Sequence, residues 1–236
     1  MWKVCGRGIG ELAGSAERFV FFCVFGGFCV DRRRLFSLIR LLVATTNANK
    51  VREIGQLLAG APVEIVTLAE WPRVTAPDET GRTFEENARA KALYYAAATG
   101  ELTVAEDSGL VIDALGGAPG VASARFGGVD LSYKAKFVLI DAALRATGDR
   151  ESPARFICAL VLVRGDRVLF EARGTVEGRI SPEPKGQGGF GYDPIFFYPP
   201  YGQTLAEAGD AKAAVSHRGE AFGKLRAFLI EERQAR

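Results

Sequence analysis

Histidine is nearly absent from this sequence, with a single example among 236 residues. A His-rich metal site is therefore excluded. Four cysteines are present, Cys5, Cys23, Cys29 and Cys158, and no two stand in a C-x-x-C pair. A structural zinc site of the usual spacing is thus ruled out, and the thiols read as those of a reduced, cytoplasmic protein. Cys158 lies in an apolar run and reads as a buried small hydrophobe. Charge of one sign is also lacking: 30 Lys and Arg face 28 Asp and Glu, for a net charge of +2. That balance speaks against a protein that coats nucleic acid, as does the want of a basic stripe. No apolar run is long enough to span a bilayer. The longest candidate, residues 19–30, would reach about 18 Å as a helix, against a hydrocarbon core of about 30 Å. No small-x-small cleavage site follows it.

What is present is ordinary globular chemistry, 48% hydrophobic and 25% charged, with glycines gathered into clusters. Residues 1–40 differ from the rest and read as a disordered or loosely attached extension, such as an upstream start codon would add. Because the chain has no second Met, a shorter start would need a non-ATG codon. Residues 41–236 read as one two-lobed domain. Residues 41–45 form a short buried strand, and Thr46-Asn47 offers helix-capping chemistry before Val51, Ile54 and Leu58 recur at helical spacing up to Gly60. A second strand covers residues 63–68. Thr83-Phe84-Glu85-Glu86 is a capping box that opens an Ala-rich helix to Thr99. A third strand at 102–105 is expected to end in Glu106-Asp107-Ser108-Gly109. Residues 116–128 form a Gly-rich loop and 132–147 a helix. Residues 155–163 and 167–173 form a hairpin about Gly165-Asp166, with 175–180 continuing the meander. The last helix begins near Ser216, with Phe222, Leu225, Phe228 and Leu229 on one face. Alternating strands and helices followed by a meander imply an α/β fold with a mixed sheet.

Five places carry chemistry. The strand-to-helix junction from Thr45 through Thr46, Asn47, Ala48 and Asn49 to Lys50 joins unpaired backbone N–H donors to a full positive charge, which suits a phosphate; it lacks the Walker A pattern. Asp107, next to Glu106, offers carboxylate at a strand end where ligands collect in α/β sheets, and Asp78-Glu79 adds a second acidic group; one or two carboxylates suit Mg²⁺. Asn87 and Lys91 share a helix face. In residues 186–193 the glycines let backbone approach a ligand, and Phe190 and Tyr192 add flat surfaces for a nucleobase. Finally, His217 and Arg218 fall in the first turn of the last helix, where a cation is disfavoured unless an anion or acceptor compensates it.

These blocks, together with Gly116-Gly117-Ala118-Pro119-Gly120 and Ser123-Ala124-Arg125-Phe126, occur in an order that resembles the inosine/xanthosine triphosphate pyrophosphatase family. The resemblance runs from Leu41 to the C-terminus. It implies an elongated α/β fold with a long mixed sheet, flanking helices and two lobes around a central cleft. It implies Mg²⁺-dependent hydrolysis of ITP, dITP and XTP to the monophosphate and pyrophosphate, and a homodimer. On this sequence, residues Thr45, Thr46, Asn47, Ala48, Asn49 and Lys50 would hold the triphosphate, with Lys91 assisting. Asp107 would be the catalytic carboxylate and a metal ligand, Asp78 the second metal ligand, and Ser108 a substrate contact. Phe190, Gly191, Tyr192, Asp193, Lys212, His217 and Arg218 would form the base-reading wall. Many relatives carry Gly where this chain has Thr46, a β-branched residue that restricts the backbone. Two alternatives are a Maf-like pyrophosphatase for other nucleotides, against which the 190–193 and 216–218 blocks argue, and a non-catalytic nucleotide-binding protein, against which the carboxylates and Lys50 argue. Neither nucleic acid nor membrane is an expected partner.

Overall fold

The computed structural model describes residues 38–234. The expectation of an appended segment at 1–40 falls, but for its last three residues, outside them. The first strand, β1 (Ile39–Val43), begins two residues ahead of Leu41. It lies between β2 (Val63–Thr67) and β3 (Leu102–Ile112) and is parallel to both. Helices α1 (Ala48–Leu57) and α2 (Phe84–Thr99) connect these three strands. From β3 onward the sheet turns antiparallel, through β4 (Pro153–Arg164), β5 (Arg167–Ile180), β6 (Phe196–Tyr198) and β7 (Gln203–Thr204). The seven strands form one mixed sheet in the order β2-β1-β3-β4-β5-β6-β7. Its flanking helices make the architecture α/β as the sequence implies. The hairpin turns at Gly165-Asp166 as expected, and residues 175–180 belong to the same strand as 167–173.

Each strand's composition follows from its two covered faces. Leu41 and Val43 face α1 and the C-terminal helix α5 (His217–Gln234), which follows the one-turn α4 (Lys212–Val215); there Ile54, Leu58, Phe222, Leu225 and Leu229 close one core cluster. Leu42 faces α2. A strand buried on both sides reads as a continuous apolar run, which is why 41–43 were legible as a strand. Each such fully buried side chain contributes about 1.5–3 kcal/mol relative to exposure. Helix α2 is Ala-rich because Ala88, Ala92 and Ala96, four residues apart, form the stripe that lies on the sheet. A third cluster joins Ile140 and Leu144 of α3 (Tyr133–Thr147) to Leu110, Phe156, Val176 and Phe196.

The third strand departs from the sequence expectation. It continues through 106–109 to Ile112, so Asp107 sits in mid-strand. Acidic residues and Ser-Gly are poor strand formers, but β4 pairs with β3 along its length and overrides that preference. On its other side, β3 loses its partner where β1 ends. Ala44 N–H donates to the Val104 carbonyl, and beyond that point the even-numbered residues of β3 turn their backbone groups to an unpaired edge. Farther along, Ser123 Oγ covers this edge by accepting from Leu110 N–H at 2.9 Å. Gly109 makes room for it, since a Cβ there would come within 2.3 Å of that hydroxyl. The gap between the end of β1 and Ser123 is where the cleft opens.

Candidate active site

Three helices begin at side-chain caps, and the starts of two of them, α1 and α5, line this gap. Asn47 caps α1, its Oδ1 accepting from the N–H groups of Asn49 and Lys50 at 3.0 and 3.3 Å. Thr83 caps α2 by accepting from Glu86 N–H at 3.1 Å. Glu86 reaches back to Arg82 N–H, one residue earlier than in a reciprocal capping box. Ser216 caps α5, accepting from Gly219 N–H at 2.9 Å. The cleft between them has a volume of about 400 Å³ and is lined by Thr45, Thr46, Asn47, Lys50, Glu79, Lys91, Ser108, Phe190, Gly191, Tyr192, Asp193, Lys212, His217 and Arg218, among others. That volume suits a small ligand.

Strand alternation splits the two adjacent acids of β3. Asp107 points to α2, where Asn87 Nδ2 donates to its Oδ2 at 3.0 Å and Lys91 Nζ stands 3.6 Å from its Oδ1. Asn87 is itself fixed, because its Oδ1 accepts from Gly81 N–H at 2.8 Å. Burial raises the Asp107 carboxyl above its usual value; Lys91 and Asn87 oppose that rise, and Glu79 adds to it. Lys91 is desolvated too, yet Asp107 and Glu79 hold its ammonium above the ordinary value. Glu106 points to the opposite face, towards Lys50 at 2.7 Å and Arg218 at 3.3 Å. Burial disfavours its charge, but Arg218 and Lys50 hold its pKa well below the carboxylate range.

The far wall is a chain of ion pairs. Glu53, from α1, reaches Arg218 Nη1 at 2.7 Å and Lys212 at 2.8 Å. Lys212 also contacts Asp193 Oδ2 at 2.8 Å, which accepts from Phe190 N–H at 2.8 Å. The Phe190 ring lies 4.8 Å from Lys212 Nζ and 5.6 Å from Arg218 Cζ. The anion that a buried arginine at a helix start requires is thus supplied twice, by Glu53 and Glu106. His217, stacked on Phe156 at 4.9 Å, avoids the same penalty differently. Burial first, then Arg218 and Lys212, hold its pKa well below 6.5, so the ring is neutral. His217 Nδ1 and Arg218 Nε are the buried side-chain polar atoms without a partner among the described residues.

The neutral His217 makes stability pH-dependent. The unfolded chain binds a proton near pH 6.5 that the folded chain refuses, so stability is full above that value and falls as the medium is acidified below it, by up to about 1.4 kcal/mol per pH unit. Melting temperature is expected to drop between pH 6.5 and 5, where ordinary carboxylates stay ionised and the buried Asp107 and Asp193, raised by desolvation, act in the opposite direction, and His217→Leu to flatten this limb. A melting temperature equal at pH 7.5 and pH 5.5 contradicts it.

Several expected site residues sit elsewhere. Asp78 is exposed and off the cleft lining, whereas its neighbour Glu79 lines the cleft and meets Lys91 at 2.7 Å. Adjacent residues in an extended stretch point to opposite sides, and the irregular segment before α2 gives no periodicity by which to choose. Ala48 and Asn49 turn away from the lining; Asn49 accepts from Arg52 at 3.1 Å, and both contribute backbone to the helix start. Tyr192 is 3% exposed, its ring set edge-on to Tyr133 and its hydroxyl donating to the Ser123 carbonyl, so it braces the wall and offers no free stacking face. Phe190 keeps a partly exposed ring. Sequence reasoning took Asp78 rather than Glu79 from the acidic pair it named, and missed Glu53, Glu106 as a partner of Arg218, and Asn87 as a holder of Asp107. The pairing of Asn87 and Lys91 on one helix face was the available signal for the last.

Fold and cleft together define a class of protein: a mixed-sheet α/β chain whose cleft is lined by a capped helix start with Lys50, by Lys91 and Glu79, and by the cation-flanked Phe190, with the carboxylate of Asp107 buried behind Lys91 just off the lining. The chain belongs to the Ham1 family, whose model matches residues 41–228. It is 46% identical over 193 residues to the dITP/XTP pyrophosphatase of Exiguobacterium sp. strain AT1b, covering 81% of this chain and 97% of that protein. To the dITP/XTP pyrophosphatase of Escherichia coli O157:H7 it is 44% identical over 186 residues, covering 78% and 94%. Among solved structures it is similar to a HAM1 protein from Coxiella burnetii, with a TM-score of 0.77 and 38% identity over 82% of this chain and 99% of the other.

Proposed function

We propose that this chain is a nucleoside triphosphate pyrophosphohydrolase that converts dITP, ITP and XTP to the monophosphate and pyrophosphate, removing deaminated purines from the nucleotide pool. The observation that carries the reading is the pairing of a desolvated Asp107, held by Asn87 and Lys91, with cation-rich walls on either side, in a chain more than 40% identical to proteins named for that activity. The triphosphate lies against the α1 N-terminus, Lys50 and Lys91, whose charges offset those that grow on the leaving pyrophosphate. Water attacks the α-phosphorus, the P–O bond to pyrophosphate breaks, and Asp107 takes the proton of the water. Burial suits Asp107 to this work by raising its basicity towards the working range. At the other end, Phe190 stacks on the purine, and donors of the Arg218 and His217 wall pair with its 6-oxo group; an adenine amine leaves them unpaired, which discriminates by orders of magnitude.

Asp107 and Glu79 fit a Mg²⁺ ion better than Asp107 and Asp78 do. Both flank the Lys91 ammonium, and the charge of Glu79 raises the Asp107 carboxyl further. Two carboxylates plus substrate phosphates are the donor set that Mg²⁺ takes. Bound there, Mg²⁺ supplies charge neutralisation and lowers the pKa of water. A homodimer is supported by exposed apolar residues in and beside α3, Val129, Val138 and Leu139. No helix among the described residues is long and apolar enough to cross a membrane.

The test is product analysis with Mg²⁺ and ITP, XTP, dITP, ATP and GTP on one preparation sized by sedimentation. Pyrophosphate and monophosphate are expected from the first three at rates at least about a hundredfold above ATP. Equal rates on all five would overturn the base-reading assignment, orthophosphate in place of pyrophosphate would overturn the reaction, and a monomer mass would overturn the homodimer.

A further inference from the structure

Glu106 is the acid that the proposed reaction leaves unused. Its side chain is 2% exposed and lies across the sheet from Asp107. Its Oε2 faces Cys158 Sγ at 3.4 Å. Its Oε1 alone serves two cations, Lys50 at 2.7 Å and Arg218 at 3.3 Å. Enclosing a carboxylate costs several kcal/mol unless its partners are well placed. Here the partners come from two different helix starts: Lys50 from the first turn of α1 and Arg218 from the first turn of α5. From Arg218 the contacts continue through Glu53 to Lys212, and through Asp193 to the N–H of Phe190. Glu106 joins Lys50 to this series.

We infer that Glu106 is a positioning residue that fixes Lys50 and Arg218 at one spacing, so that base recognition and phosphate placement become a single event. A purine that seats properly on the wall then brings its phosphates to Lys50, and a purine that does not misaligns them. Coupling of this kind is reciprocal and of the order of 5–150-fold. Base selectivity should therefore depend on Lys50 and Glu106, neither of which belongs to the base wall. This rests on the purine triphosphate reading above.

The experiment compares kcat and KM for ITP and ATP in wild type, Glu106→Gln, Glu106→Asp and Lys50→Met. Glu106→Gln keeps the volume and loses the shared charge; the ITP to ATP ratio of kcat/KM is expected to fall about tenfold, the larger part in kcat. Glu106→Asp retains charge one methylene short, and should recover melting temperature but not the ratio. Lys50→Met leaves Glu106 buried with Arg218 and should lower the ratio as well. Because Lys50 is near the surface, that variant decides the matter even where Glu106→Gln fails to fold. Rates that fall equally for ITP and ATP in the folded variants, with the ratio intact, would reduce Glu106 to a structural filler. A wild type without preference for ITP would instead overturn the substrate reading itself.

Discussion

Asp107→Asn is expected to yield a folded protein that has lost about 10²–10⁴-fold in pyrophosphate release, the usual contribution of a positioned acid or base. The substitution keeps the side chain's shape. Asn87 can still donate to an amide oxygen at this position, and Lys91 keeps Glu79 at 2.7 Å. What disappears is a charge that burial disfavours, as the raised pKa of Asp107 records. Stability should hold or increase while activity collapses, the pattern of a group retained for chemistry at the expense of the fold. The anion cradle and the base wall are intact, so affinity should change only through the metal: with one of the two carboxylates that would hold Mg²⁺ gone, the Mg²⁺ concentration needed for half-maximal rate should rise. Melting curves alongside steady-state kinetics check both halves. Activity within tenfold of wild type would remove Asp107 from the role of proton acceptor. A matching loss of melting temperature would recast it as a structural residue.

Much of this site was readable in advance because its chemistry is local in sequence. A strand that stops, a capping Asn47 and Lys50 three residues on define an anion cradle without any tertiary knowledge. Ser216 before His217 and Arg218 likewise announced a helix start that needed a compensating anion. Identity of that anion was not local: Glu53 and Glu106 lie 165 and 112 residues from Arg218 in the chain. Glu53 carries no mark that separates it from a solvated surface acid, and Glu106 stands out only as the neighbour of Asp107, with nothing local to point it at Arg218. The choice between Asp78 and Glu79 had no periodicity to rest on, and it is Glu79 that lines the cleft. The extent of β3 failed because strand preference is a property of neighbours, here a full-length β4, more than of the residues themselves. Tyr192 was misjudged for a related reason. An aromatic in a Gly-rich segment looks available for stacking, and Tyr133 and the carbonyl of Ser123 are what take it up.

Arg218 is where stability and selectivity meet, and two substitutions should pull them apart. Its guanidinium donates to Glu53, Ser108 and Glu106 at 2.7, 2.9 and 3.3 Å, and its side chain is 2% exposed. Arg218→Met removes the charge and leaves two buried or half-buried carboxylates without that partner; such losses cost about 3–5 kcal/mol. For a domain of this size that is a fall of roughly 6–20 °C in melting temperature. Lys50 and Lys212 remain to hold Glu106 and Glu53, which places the expected fall in the lower half of that range. Arg218→Lys restores the charge but replaces a planar fork of five donors by a single ammonium. It should regain most of the melting temperature, because one cation can still answer Glu106. It should not regain selectivity, because one ammonium cannot bond Glu53, Ser108 and Glu106 at once and still present a fixed donor to a purine 6-oxo group. Low melting temperature with poor selectivity in Met, and near-normal melting temperature with poor selectivity in Lys, is the expected pair of results, read from thermal melts and from the ITP to ATP ratio. Full selectivity in the lysine variant would show that charge alone reads the base and that the geometry of the fork is incidental.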